Sequence, residues 1–86
     1  MKIQKIDVLG MPLLEVKHKG VVAHFGEGDD WITLYDVLST NKGKGETQEM
    51  LKKMMMRYKH KKFGGSVALN PTMKHIYKKL KIKEYA

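Results

Sequence analysis

The hydrophobic pattern of the chain changes its period once, at the glycine pair Gly43 and Gly45, and this change restricts the fold more than any other feature. Before the pair, residues 2–39 form short runs rich in apolar and β-branched residues, separated by glycine-containing turns. After the pair, apolar residues recur at spacings of three and four, as in an amphipathic helix. The sequence therefore predicts strands first and helices afterwards, in one mixed α/β (α+β) domain over residues 1–86.

The first half predicts four strands, at residues 2–9, 13–17, 21–25 and 31–39. Lys19–Gly20 is a turn between the second and third of them, which suggests a β-meander. The fourth run reads WITLYDVLS, and its aromatic and β-branched content predicts a central strand.

The second half predicts a helix at 46–61, a break at 63–65 and a short buried strand at 66–69. A second helix begins at Pro71, a residue suited to the first helical position, and the tail at 81–85 is a last strand. The order is β-β-β-β-α-β-α-β, and we expect a mixed, mostly antiparallel sheet with two helices.

The composition favours an anionic partner. There are 17 Lys and Arg against 9 Asp and Glu, a formal charge of +8, and most of the lysines lie in the C-terminal half. Nucleic acid, a phosphorylated cofactor or an acidic protein would each suit this charge. The chain has no Cys, which excludes disulfides and thiolate chemistry. No apolar run is long enough to span a bilayer, so we expect no membrane partner and a cytoplasmic location.

The junction between the fourth strand and the first helix reads NKGKG, residues 41–45. A glycine-rich turn before a helix can direct backbone N–H groups at an anion, and Lys42 and Lys44 add positive charge. The spacing of a nucleoside triphosphatase loop is absent, as is the third glycine of a dinucleotide-binding turn. A plain lysine-rich turn in solvent is the alternative interpretation.

Two segments resemble motifs of the GNAT superfamily of N-acetyltransferases. Thr40–Gly45 is similar to its acetyl-CoA pyrophosphate loop, which has Gln or Arg, two variable residues, Gly, one variable residue, then Gly or Ala. Both glycines match, and Thr40 occupies the first position. Asn70, followed by Pro71 and preceding Tyr77 by seven residues, resembles a second motif of the family. The resemblance covers about residues 31–85, although the Gly and Phe that usually close the second motif are replaced here.

The resemblance implies direct transfer of an acetyl group from acetyl-CoA to an amine, without a covalent enzyme intermediate. It implies that a backbone N–H near Val37 or Leu38 polarises the thioester carbonyl, that the glycine loop holds the pyrophosphate, and that Tyr77 protonates the departing thiolate. Asp36 lies near where related enzymes have a base or a water-holding carboxylate. The implied site residues are Asp36 and Tyr77 for catalysis, and Val37, Leu38, Lys42, Gly43, Lys44, Gly45, Glu46 and Asn70 for the cofactor.

Ordinary structural roles compete with these assignments. Tyr77 shares a helix face with Met73, Ile76 and Leu80, so it is also a candidate core aromatic. Asp36 could equally be a strand residue that faces solvent. The histidines show no metal-ligand spacing, and we expect no metal site.

A GNAT domain normally has a first strand and two helices before its central strands, and this chain begins with strands only. Either the fold is a minimal version, or a partner or second copy supplies the rest, so the sequence also allows a homodimer. Two other functions stay open. One is a basic nucleic-acid-binding module that uses the C-terminal lysines, including the run RYKHKK at 57–62. The other is a degenerate acetyltransferase fold that acts as an interaction protein.

Overall fold

Six strands form one sheet in chain order. The computed structural model describes residues 1–40, 45–66 and 71–84. The elements are β1 Lys2–Val8, β2 Met11–His18, β3 Val21–Glu27, β4 Trp31–Ser39, α1 Glu46–Arg57, β5 Lys62–Gly65, α2 Pro71–Leu80 and β6 Lys83–Glu84. Strands β1 to β4 pair antiparallel, whereas the β4–β5 and β5–β6 pairs are parallel. The predicted element order and the mixed, mostly antiparallel sheet with two helices are confirmed.

Two tight turns set the register of the meander. Leu9–Gly10 and Lys19–Gly20 each have positive φ at both residues, with φ of 52° and 83° in the first turn and 47° and 81° in the second. Positive φ at both central residues is the conformation of a type I′ turn, whose twist matches that of an antiparallel hairpin. The predicted turn at Lys19–Gly20 is confirmed.

Both helices cover the same face of the sheet. Parallel neighbours joined through a helix form right-handed crossovers, so two successive crossovers in one direction put both helices on one side. The buried residues of both helices pack with alternate residues of the strands in one hydrophobic core. Its members are Leu14, Val16, Val21, Ala23, Phe25, Ile32, Leu34, Met50, Leu51, Met54, Ile76, Tyr77 and Ile82. The second face of the sheet, opposite the helices, includes Glu15, His24 and Asp36.

Helix α1 ends earlier than predicted. It stops at Arg57 instead of residue 61, because Tyr58 leaves the helical region with φ −111° and ψ 40°. The Lys61 N–H then donates to the Tyr58 carbonyl, and the Lys62 N–H donates to the Asp30 carbonyl, which starts the pairing of β5 with β4.

The prediction for the fifth strand was wrong. We expected a break at 63–65 and a strand at 66–69, whereas β5 is Lys62–Gly65 and residues 67–69 lie outside the described part. Gly65 is needed inside the strand because a Cβ there would overlap the Tyr77 hydroxyl oxygen. Gly65 therefore looks like a strand break in the sequence, whereas in the fold its missing side chain leaves room for the Tyr77 ring.

Candidate active site

In the described part of the chain, the pairing of β4 with β5 ends at Leu34 and Ser66. Their register runs from Trp31 opposite Lys62 to Leu34 opposite Gly65, and the Ser66 N–H donates to the Leu34 carbonyl over 2.9 Å. β4 continues to Ser39, and within 1–40, 45–66 and 71–84 no strand pairs with this last part on the side of β5. We call the β5 side of β4 beyond Leu34 the gap, because no described strand pairs with β4 there.

A β-bulge lies where the gap begins. Leu34 is opposite Phe25 and Asp36 is opposite His24, so Tyr35 is the extra residue of β4. The Ser66 hydroxyl donates to the Tyr35 carbonyl over 3.0 Å and fixes the bulge to the end of β5. The Tyr35 ring covers Gly26, since a Cβ on Gly26 would be 2.6 Å from the Tyr35 hydroxyl oxygen.

The bulge decides which peptide groups face the gap. Leu34 directs its carbonyl to β5, whereas Thr40 directs its N–H to the Gly20 carbonyl on the β3 side. Peptide groups alternate between the two sides of a strand, so residues after the bulge with even numbers face β3 and Val37 faces the gap. By this alternation the Val37 N–H points to the gap and the Leu38 N–H points to β3. The Leu38 side chain is exposed on the second face of the sheet.

Tyr77 reaches the same place from α2. Its side chain is buried, its ring lies against Gly65, and its hydroxyl donates to the Ser66 carbonyl over 3.1 Å. Burial raises the pKa of the phenol above its ordinary 10.0, and the charge of Glu84 raises it further. Tyr77 is thus a core residue and also a protonated hydroxyl beside the gap, linked to the bulge through Ser66.

Asp36 belongs to a polar row on the second face of the sheet. His24 Nδ1 lies 2.7 Å from Asp36 Oδ1, and His24 Nε2 lies 3.0 Å from Glu15 Oε2. The hydrogen bond to Asp36 is the largest cause of a raised His24 pKa; the bond to Glu15 adds to it, and burial opposes both. A protonated imidazole can donate to both carboxylates. The Asp36 side chain stays 66% exposed, so one carboxylate oxygen is open to solvent next to Val37.

The sequence predicted a role for Asp36 and did not predict its contact with His24. Glu15 and His24 are equally far from the Lys19–Gly20 turn, so a two-residue hairpin would have paired them. The Asp36 contact depends on the bulge, which shifts β4 by one residue.

The N-terminus of α1 is the described part of the predicted pyrophosphate loop. Gly45 caps the helix at φ 75° without a side-chain hydrogen bond, and the Glu49 N–H donates to its carbonyl. The N–H groups of residues 46–48 precede that first helical bond, so the helix does not use them. Lys42, Gly43, Lys44 and Asn70 lie outside the described residues.

Glu46 lies in the first turn of α1, where its carboxylate would repel a bound anion. Its carboxylate complements the helix dipole, as does that of Glu49. The Glu46 Oε2 atom is buried and has no hydrogen-bond partner in the described part of the chain. A bound pyrophosphate would lie near this negative charge, so the backbone would have to supply the attraction.

The described ranges offer neither a metal cluster nor a membrane-spanning helix. No group of three or more His, Asp or Glu side chains there could hold a metal ion. No helix of that part is long and apolar enough to cross a membrane.

No protein-family model matches the chain, and the comparisons with curated proteins and with solved structures give no match either. These comparisons identify no relationship to the GNAT superfamily.

Proposed function

We propose that this protein binds acetyl-CoA in the gap between β4 and β5 and transfers its acetyl group to an amine. The observation that carries the proposal is the meeting of three features at Ser66: the end of the described β4–β5 pairing, the bulge at Tyr35, and the hydroxyl of the buried Tyr77. A gap at the carboxyl ends of parallel strands is a common position for ligands in sheets with helical crossovers.

Acetyl-CoA supplies the acetyl group as an activated thioester. The Val37 N–H would donate to the thioester carbonyl and stabilise the negative charge that develops when the amine attacks. Tyr77 would give its phenolic proton to the sulfur as the carbon–sulfur bond breaks. With a pKa above 10.0 the phenol holds its proton at neutral pH, as an acid must, and the upward shift makes it a weaker acid than an ordinary tyrosine.

Asp36 would assist the attack of the amine on the thioester. Its exposed oxygen lies one residue from Val37, and His24 holds the other oxygen. The carboxylate would hold a water or accept the proton that the amine must lose before or during attack. His24 would act as a positioning residue through Asp36.

The α1 N-terminus suits the pyrophosphate by its backbone. Gly45 has a left-handed conformation, and a Cβ added to it would find no described atom within 4 Å, so a ligand can approach closely. The N–H groups of 46–48 would donate to phosphate oxygens. Four further cofactor-binding residues are assigned from the sequence alone: Lys42, Gly43, Lys44 and Asn70.

A glycine comparison tests the cofactor assignment. Gly10 and Gly45 both have positive φ, 83° and 75°, and both have open space where a Cβ would be. Gly10→Val and Gly45→Val should each lower stability by about 1–2 kcal/mol, the cost of a left-handed residue with a side chain. Only Gly45→Val should lose acetyl-CoA binding in isothermal titration calorimetry.

Two results would contradict the proposal: no heat of binding for the unmodified protein at millimolar acetyl-CoA, or equal affinities for both variants. Binding of acetyl-CoA without acetyl transfer to any amine of a broad panel would agree with the cofactor site and would favour the hypothesis of a degenerate fold that acts as an interaction protein.

A further inference from the structure

The charge of the molecule is divided between its two halves. Residues 1–40 contain four Lys against six Asp and Glu, whereas residues 45–84 contain eleven Lys and Arg against three Glu. Since the second half includes both helices, and both helices cover one face of the sheet, the positive charge is concentrated on that side of the molecule.

Helix α2 directs a stripe of cations outward. Lys74, His75, Lys78 and Lys79 are exposed, while Ile76 and Tyr77 of the same helix are buried. At 3.6 residues per turn the four basic positions span an arc of about 140°. The helix contains no acidic residue, so Lys74 and Lys78 repel each other at an i, i+4 spacing without compensation inside the helix.

Helix α1 and the residues after it add exposed cations on the same side of the sheet. Lys52, Lys53, Arg57 and Lys59 are exposed there. Of the four, Lys53 alone pairs with a carboxylate of the described ranges, that of Glu49 at 3.9 Å. We call the outer sides of α1 and α2, with residues 52–59 and 74–79, the basic helical surface.

We propose that the basic helical surface binds the phosphate backbone of a nucleic-acid duplex. The proposal does not depend on the acetyl-CoA site. Helix α2 is about 15 Å long, which equals the axial length of about four phosphates of one strand. Lysines are point charges that bind phosphates without reading bases, so the binding should not depend on sequence.

The exposed side chains favour a duplex over a single strand. Single-strand sites combine positive charge with aromatic platforms, and no Phe, Tyr or Trp side chain is exposed in the described residues from 45 to 84. They also favour a duplex over a membrane. An interfacial helix buries an apolar face in lipid, whereas the apolar face of α2 is already packed on the sheet.

The test uses fluorescence anisotropy with labelled duplexes of about 20 base pairs, titrated from about 50 to 200 mM salt. Comparing duplex DNA with duplex RNA of the same sequence shows which of the two phosphate backbones the surface binds more tightly. A single strand and anionic phosphatidylserine vesicles are the competing ligands. The variant is Lys74→Gln/Lys78→Gln/Lys79→Gln, and the matched control is Lys2→Gln/Lys5→Gln/Lys17→Gln, which removes the same charge from exposed positions of β1 and β2.

We expect duplex binding that weakens steeply with salt. The α2 variant should reduce the slope of log affinity against log salt by about 0.9 for each lysine that contacts a phosphate. At low salt it should bind at least about tenfold more weakly, and the control should bind as the unmodified protein does. Both variants should keep the melting temperature, because all six lysines are exposed.

Four results would overturn the proposal. They are no duplex binding at low salt, equal weakening by the two triple variants, tighter binding of the single strand, or preferential binding of the vesicles.

Discussion

Replacing Gly65 with alanine should destabilise the protein through Tyr77. An added Cβ would overlap the Tyr77 hydroxyl oxygen and lie 2.6 Å from Cζ and 3.0 Å from Cε2. Tyr77 is only 5% exposed, so its ring has little room to move. Overpacking of this kind costs about 1–3 kcal/mol, and the lower entropy of the unfolded alanine chain returns about 0.4–1 kcal/mol. We expect a net loss of about 1.5 kcal/mol in the free energy of unfolding, or roughly 6–12 °C in melting temperature for a domain of this size.

The measurement is urea denaturation of a double-mutant cycle. Gly28→Ala is the matched control, because its Cβ would meet only the Trp31 carbonyl oxygen at 3.8 Å, an ordinary contact. Gly65→Ala in a Tyr77→Leu background should cost little, since leucine lacks the overlapping atoms. The expected coupling energy is about 1.5–2 kcal/mol. An unchanged stability for Gly65→Ala, or the same loss in the Tyr77→Leu background, would refute the assigned packing and with it the position of the proposed acid.

Three other predictions concern single side chains. Tyr77→Phe should slow acetyl transfer by about 10²-fold in steady-state assays, with little change in acetyl-CoA affinity. The same substitution should lower the free energy of unfolding by about 1 kcal/mol in urea denaturation, because the Ser66 carbonyl loses its donor. His24 has a raised pKa in the fold, so its stabilising contribution is complete below the ordinary 6.5 and is lost as pH rises through the folded pKa. As the pH rises above 6.5, the melting temperature should therefore fall more steeply for the unmodified protein than for His24→Gln, and parallel curves would contradict this. Glu46→Gln should tighten acetyl-CoA binding about two- to fivefold in calorimetry by removing a like charge from the α1 N-terminus, and weaker binding would show that the carboxylate is not near the pyrophosphate.

Local patterns in the sequence were enough for the strands of the meander and for the starts of both helices. The Lys19–Gly20 turn, the alternation in β2 and β3, and the helical spacing after Gly45 each depend on neighbouring residues only. Pro71 marks the start of α2 for the same reason, because its fixed φ suits the first helical position.

The features that build the candidate site depend on contacts between distant residues, and the sequence did not predict them. The bulge at Tyr35 exists in the register between β3 and β4, and Gly26 on the opposite strand makes room for its ring. The position of β5 depends on pairing with β4 and on the fit of Tyr77 against Gly65, so local propensity placed this strand too late.

The most direct test of the central claim is a titration of ¹⁵N-labelled protein with acetyl-CoA, followed by amide chemical shifts. We expect saturable shifts concentrated around the gap and the start of α1, at Val37, Glu46, Thr47, Ser66 and Tyr77. The lysine positions of α2 should change little at a salt concentration that suppresses nonspecific binding of anions. Shifts confined to the basic helical surface, or no shifts at millimolar acetyl-CoA, would contradict the claim that the gap between β4 and β5 is an acetyl-CoA site.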